Sequence, residues 1–464
     1  MAYDLAILGS GAAAFAGAVR AADLGARVLL ALGGEVGGCC LNHGCIPSKR
    51  LLRAGEFRFH AMHSPFPGVR LRADPVDMAL LDAGKRALIE SLEDSHYRRA
   101  IRQRSQITAI EAPGSVTARG VRVGDEEFEV DRILVATGST PARPDIDGLV
   151  ATPHLTSDDA LDLTVVPEHL VVLGGGIVAL EIGQALFHLG ARVTLVQRGP
   201  RVLRDEEPEL AAELARLLAE EGVELRTGTR TLKVEGTPGD IRVTVEHEGT
   251  TSRLVGTHLL VATGRTPTTR GLGLEERGVK LSSSGAILTR PTLETDAPGI
   301  FAAGDVKGKL MLVTTAAKEG VIAVENALLG RERELDPDRI PRAVFTSPEL
   351  AAVGLTEAQA VAAGHSVETR IVPMSRVARA QVNGDPRGMC KLVTEEGTGH
   401  VLGVHLLCAE ASEIIHTGAF ILAGGLTREE VGDSVFVYPS LAEVIRLTAQ
   451  AFDSDVDHLS ECGE

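Results

Sequence analysis

At 464 residues with 44% hydrophobic content, the chain is too long for one ordinary domain, and ~150 residues per domain gives about three, each with apolar residues enough for its own core. A formal net charge of −16 repels phosphate backbones and anionic headgroups over most of the surface, which argues against nucleic acid and membranes as partners. Six cysteines are too sparse for a secreted disulfide scaffold, and a close group of them in a reducing compartment points to catalysis or metal.

The N-terminus, "MAYDLAILGSG", has no basic leader, and glycines interrupt the apolar stretches before the ~20 residues that would span a bilayer, so a cytoplasmic location is expected. A strand from Leu5 runs into Gly9, Gly11 and Ala14, then a small-residue helix, then a second strand opening on "LGARV". Such a turn lets the backbone approach a pyrophosphate, and the helix N-terminus behind it favours negative charge. Next comes "GGCCLNHGCIPSK", residues 37–49, with Cys39, Cys40 and Cys45 close together. Metal ligands come as matched pairs or with histidines at short spacing, and no partner cluster follows Cys45, which disfavours zinc. Cys40 and Cys45 fall at the expected start of a helix, where the dipole lowers a thiol pKa and favours the nucleophilic, redox-active form.

"ILVATGSTP", with Thr137 and Gly138, closes this unit after a meander-like stretch. "LVVLGGGIVALEIGQALFHLGARVTLVQR" then repeats the opening pattern with Gly174, Gly176 and Ala179. Two such turns in register imply two dinucleotide sites. "LLVATGRTP", with Gly264, echoes the first exit. In "TDAPGIFAAGDV" a short strand ends on Gly304 and Asp305, whose carboxylate suits either a cofactor hydroxyl or a helix N-cap. From about Arg342 the glycine motifs stop and strand-like runs precede helices, as in a separate α+β domain. Residues 141–153 and 337–341 are the expected joints.

With its three cysteines between two nucleotide folds, the 37–49 motif resembles the redox motif of the FAD-dependent pyridine nucleotide–disulfide oxidoreductases, and the resemblance covers essentially the whole chain. It implies an α/β fold with two Rossmann-like dinucleotide-binding domains plus a C-terminal α+β dimerisation domain. The expected boundaries are 1–143 for the first part of the FAD domain, 144–266 for the NAD(P)H domain, 267–338 for the second part of the FAD domain and 339–464 for the dimerisation domain. By resemblance, Cys45 is the thiolate in charge-transfer contact with the flavin and Cys40 the interchange thiol. Lys49 lies near flavin N5 with Glu181 as its ion-pair partner. The implied cofactor contacts come from Gly9, Gly11, Ala14, Gly38, Lys49, Thr137, Gly138, Gly304 and Asp305 for FAD, and from Gly174, Gly176, Gln197, Arg198 and Gly264 on the nicotinamide nucleotide side.

Departures from the family pattern carry information. Cys39 stands where the family usually has threonine and is read as a small packing residue. Leu32 replaces the usual glutamate for the adenosine ribose of FAD, which puts that contact in doubt. Gln197 stands where NAD-specific members carry an acid, followed by Arg198 and Arg201, so NADPH is favoured. Disulfide reductases of the family close with a His-Pro pair and a glutamate; here "YPSLAE" supplies Tyr438, Pro439 and Glu443. A phenol titrates near pH 10 and serves poorly as a proton shuttle for thiols at neutral pH. The tyrosine, Tyr97 in "LEDSHYRRAIR", and the C-terminal segment resemble the mercuric reductase branch of that family. That branch implies Hg(II) as substrate, held by Cys40 and Cys45 with Tyr97, Tyr438 and the tail thiol Cys462 as further ligands, and a homodimer whose C-terminal domain completes the partner's site. The flavin fold is expected to begin at Tyr3 without an extra N-terminal metal-binding domain. A dihydrolipoamide dehydrogenase-like or other disulfide reductase, and a non-catalytic flavin redox or metal-sensing module, stay open as alternatives.

Overall fold

The structure, a computed structural model, describes residues 3–454. The apolar runs "LAIL" and "VLLA" are buried along their whole length, the pattern of strands covered on both faces of a parallel sheet. They form strands Leu5–Leu8 and Val28–Ala31, central in a five-stranded parallel sheet with Ile107–Ile110 at one edge and Ile133–Val135 then Ile300–Ala302 at the other. The last strand arrives after the second nucleotide unit, so this sheet is made from two separated segments. Helices Ala12–Asp23 and Val313–Leu329 meet at two glycines: a Cβ on Gly320 would come 2.2 Å from the Ala13 carbonyl oxygen, and one on Gly17 3.2 Å from a Val324 methyl.

The second unit is a four-stranded parallel sheet, ordered Glu224–Arg226, Arg192–Val196, His169–Leu173, His258–Val261, with helix Ile177–Leu189 following its glycine turn. Each unit carries an antiparallel three-stranded meander, at residues 114–129 and 229–256. The two echoed exits pair with one another: strands Ser139–Pro141 and Arg265–Pro267 lie antiparallel, linking the units. The C-terminal part is a five-stranded antiparallel sheet in the order Arg342–Val344, Glu349–Gly354, Val401–Cys408, Met389–Glu395, Val367–Pro373, packed with helices Ala411–Gly424 and Glu443–Gln450.

Polar contacts centred on the buried Lys391 hold this third unit to the second. Lys391 Nζ lies 2.9, 2.9 and 2.8 Å from carboxylate oxygens of Glu207, Glu209 and Glu357. Those three acids are the one cluster of metal-ligand geometry among the described residues, and the lysine ammonium occupies its centre. No helix among the described residues is long and apolar enough to cross a membrane.

Candidate active site

The two glycine turns are built alike. Gly9 has φ +142°, and a Cβ there would come 2.2 Å from the Ala136 carbonyl oxygen; Gly174 has φ +127°, with the same distance 2.3 Å to Ala262. Only glycine passes so closely beneath the neighbouring strand end. Gly11 and Gly176 then cap their helices in extended backbone without a side-chain cap. The N–H groups of each first turn are thereby offered to an anion such as a pyrophosphate. Ala14 and Ala179 are fully buried behind the turns.

The redox loop abuts the first turn, since a Cβ on Gly38 would come 2.6 Å from the Gly11 Cα. Cys45 opens helix Cys45–Met62, as its position near a helix start suggested, but Cys40 lies in a separate short helix, Gly38–Asn42. Gly44, at φ −132° and ψ −112°, breaks the two apart, and Asn42 anchors the first by donating to the carbonyls of Val36 and Gly38. The break puts Cys40 and Cys45 on separate helices, and the two thiols act on one another's ionisation. Both are free thiols. The neighbouring Cys40 thiol and, after it, the Lys49 charge lower the Cys45 thiol from its ordinary range, against burial. The same contact, with burial, pushes Cys40 well above the ordinary thiol range. These opposite shifts favour the thiolate on Cys45. Cys39 is half-buried and its thiol is pushed up by burial, with Arg265, Asp158 and Asp305 among the charges around it.

One turn into the redox helix, Lys49 Nζ donates to Glu181 Oε2 at 2.7 Å. The lysine is not on a solvated face: its ammonium lies 4.5 Å over the Phe345 ring, and Glu181 is buried with its other oxygen accepting the Phe345 N–H at 2.9 Å. Tyr97 sits in a π-helical turn, Glu93–Arg98, edge-on to Phe15 with ring centroids 4.8 Å apart. Burial raises its hydroxyl pKa, and the charges of Cys40 and Cys45 add to the rise, so the fold brings this tyrosine to the neighbourhood of the thiol pair.

The residues fit FAD. Besides the uncapped helix behind Gly11, the first turn of Val313–Leu329 carries Thr315, a buried hydroxyl with no hydrogen-bond partner, next to Ala316, which abuts Gly304. Asp305 begins a short 3-10 turn and accepts from Ser139 Oγ at 2.7 Å; Arg265 Nε donates to that hydroxyl at 2.7 Å. Thr137 Oγ1 donates to the Thr268 carbonyl at 2.6 Å. Ser139 and Arg265 were missed in the sequence, although they hold equivalent places in the echoed "VATGSTP" and "VATGRTP". Gly138 and Gly264, which precede them, have open space where a Cβ would stand. Leu32 is buried in the core and offers no ribose ligand.

At the second turn, Gln197 folds over Gly175, whose Cβ would come 2.9 Å from Gln197 Cγ. Arg198 is exposed. Arg201 Nη2 donates to the carbonyls of Arg204 at 2.5 Å and Glu206 at 3.4 Å within its own loop. On the C-terminal domain, Tyr438 is 55% exposed while Glu443 is buried and accepts from the Ser440 N–H at 3.2 Å. Cys462 lies outside the described residues.

Residues 3–320 match the family model described as pyridine nucleotide-disulphide oxidoreductase, and residues 340–449 match the dimerisation domain of that name. The chain is similar to a mercuric reductase of Streptomyces lividans, 41% identical with 99% of this chain and 98% of that protein covered. To a mercuric reductase of Staphylococcus aureus it is 38% identical, covering 99% of this chain and 84% of the other. Among solved structures it resembles the Cu(II) complex of the HOCl-induced flavoprotein disulfide reductase RclA from Escherichia coli, with TM-score 0.86, 27% identity, and 97% and 99% of the two chains covered. LpdA from Mycobacterium tuberculosis gives TM-score 0.86 and 29% identity over 97% of this chain and 99% of that one.

Proposed function

The chain belongs to the pyridine nucleotide-disulphide oxidoreductase family, and from that premise we propose that it is an NADPH-dependent flavoenzyme that reduces Hg(II) to Hg(0) at its Cys40–Cys45 pair. The observation that carries this reading is the joining of a poised thiol pair to Tyr438, rather than histidine, in a chain similar to mercuric reductases over 99% of its length.

Soft thiolates suit a soft metal ion, and Hg(II) takes two sulfurs. Cys45, the thiol whose pKa is lowered, supplies one; Cys40 supplies the second as its proton leaves on metal binding. Bound FAD supplies two-electron transfer between the nicotinamide and the thiol site. NADPH gives up a hydride and becomes NADP+; the hydride's two electrons reduce Hg(II) to Hg(0), its proton is released to solvent, and the sulfurs are freed as thiolates without forming a bond to one another. No leaving sulfur must be protonated by a dedicated acid, so a tyrosine at 438 is compatible with turnover, whereas disulfide reduction would lack its proton shuttle. Tyr97 and Tyr438 serve as weak oxygen contacts to the metal.

Tyr438 is on the dimerisation domain and the thiol pair on the first nucleotide unit, so we read the active species as a homodimer in which the C-terminal domain of one copy completes the other's site. Domain limits at 143, 266 and 338, a cytoplasmic setting, and relay of Hg(II) by Cys462 belong to the same reading. The test is NADPH oxidation by the purified yellow protein on adding Hg(II) in excess thiol, alongside lipoamide and glutathione disulfide. Hg(II) should be the faster acceptor; a faster disulfide would return the chain to the disulfide reductases, the class named for RclA. Cys462→Ser should slow turnover when Hg(II) arrives on bulky thiols, and equal kinetics across thiol concentrations would remove the tail from the mechanism.

A further inference from the structure

The loop that follows strand Arg192–Val196 is fastened at both ends. Residues 197–207 lead from that strand to helix Pro208–Glu221 and carry Arg198, Arg201 and Arg204. At one end they lie on the second glycine turn: the Leu203 N–H donates to the Gly175 carbonyl at 2.9 Å, and Gln197 covers the same glycine. Leu203 has φ +44°, a left-handed backbone that a leucine keeps only where its surroundings impose it. Here they do, because Val202 and Leu203 are buried in a core that Val344 and Leu350 of the third unit share. Within the loop, Arg201 Nη2 donates to the carbonyls of Arg204 and Glu206.

The other end is gripped by the third unit. Arg342, on strand Arg342–Val344, donates from Nε and Nη2 to the two carboxylate oxygens of buried Glu206 at 2.7 and 2.9 Å, a bidentate pair of fixed geometry. The next residue, Glu207, is buried with Lys391 Nζ at 2.9 Å and accepts the Glu357 N–H at 2.6 Å. The loop is thus held between the glycine turn and the third unit, and it cannot leave the latter without stranding a buried charge. Arg198 is exposed on it, as a ligand for a phosphate arriving from solvent must be.

We propose that Arg342 is a positioning residue for recognition of the nicotinamide nucleotide: its grip on Glu206 keeps residues 197–207 against the glycine turn, so that Arg198 is in place when the extra phosphate of NADPH arrives. A loop free to move has to be ordered on binding, and the entropy lost weakens the ligand that uses the loop. This rests on the reading of the chain as NADPH-dependent. It assigns part of that preference to a residue of the third unit, acting through Glu206.

The test is calorimetric titration of the oxidised, FAD-loaded enzyme with adenosine 2′,5′-bisphosphate and with AMP, two redox-inert ligands that differ by the 2′-phosphate. The parent should bind the bisphosphate more tightly. Arg342→Met and Glu206→Gln, which loosen the same grip from its two sides, should each cut the ratio of the two affinities about fivefold, as for one side chain that must be ordered on binding. Glu206→Gln, of unchanged size, decides the matter where Arg342→Met folds poorly. Arg342→Lys, which keeps a cation on Glu206, should lose less than Arg342→Met. An unchanged ratio in either of the first two variants overturns the proposal, and so does an equal weakening of both ligands, the result a merely structural role would give. Failure of the underlying reading is separate: the parent would bind the two ligands equally.

Discussion

Replacing Cys40 by alanine should unmake the Cys45 thiolate. The foremost influence on Cys45 is its interaction with the neighbouring Cys40, with Lys49 acting in the same direction and burial against both. The net direction is a fall from the ordinary thiol range, in favour of the charged form. A donor to a thiolate stabilises the charged state, so its removal must raise the pKa. At pH 7 a thiol of pKa about 7 is about half ionised, whereas one returned to 9.0 is ionised to about 1%. Cys40→Ala should therefore move the charge-transfer midpoint up by one to two pH units and leave only a few per cent of the band at pH 7. Cys40→Ser keeps a hydroxyl donor and should retain a larger share of it, while turnover is lost in both. The assay is anaerobic reduction by two electrons followed by a spectral pH titration. A midpoint still near 7 in Cys40→Ala would refute the argument, because Lys49 and the helix terminus would then suffice.

Three further outcomes are expected. NADPH should be preferred to NADH, and Arg198→Glu should cut kcat/KM for NADPH by about tenfold, as for a lost charged contact; Arg201→Ala, at a residue bonded to its own loop, should change that constant less, and saturation curves with both nucleotides decide. Tyr438→Phe and Tyr97→Phe should each lower Hg(II) turnover, while Tyr438→His should gain some disulfide reductase activity beside Glu443; unchanged Hg(II) rates in both phenylalanine variants would make the tyrosines packing residues. Lys391→Met should leave Glu207 buried at the junction without a cation, at a cost of about 3 kcal/mol and a melting temperature lower by several degrees, measured by calorimetry on the holoprotein.

Local rules were enough for the parts of this protein whose chemistry is written in short stretches. The glycine turns at Gly9 and Gly174 could be read because only glycine tolerates their backbone and their close approach to Ala136 and Ala262. The buried strands could be read because a two-sided parallel sheet demands unbroken apolar runs. The Cys40 and Cys45 spacing announced a thiol pair, and the family resemblance placed Lys49 opposite Glu181, 132 residues away, where the structure has them bonded.

What the sequence could not convey depends on contacts between distant segments. The helix break at Gly44 puts Cys40 and Cys45 on separate helices, and a helix-start rule that treated both residues alike had no access to it. That Arg201 Nη2 donates to the carbonyls of Arg204 and Glu206 follows from the loop's curl, which no sequence pattern showed. Phe345 is an ordinary aromatic in "AVFTSPEL" until the C-terminal sheet lays it under Lys49. Lys391 reads as a polar interruption in an apolar strand until the second and third units close three carboxylates around it. Such assignments belong to tertiary structure because a charge or ring acquires its effect from the groups within a few ångströms, and those groups come from parts of the chain that no local pattern connects.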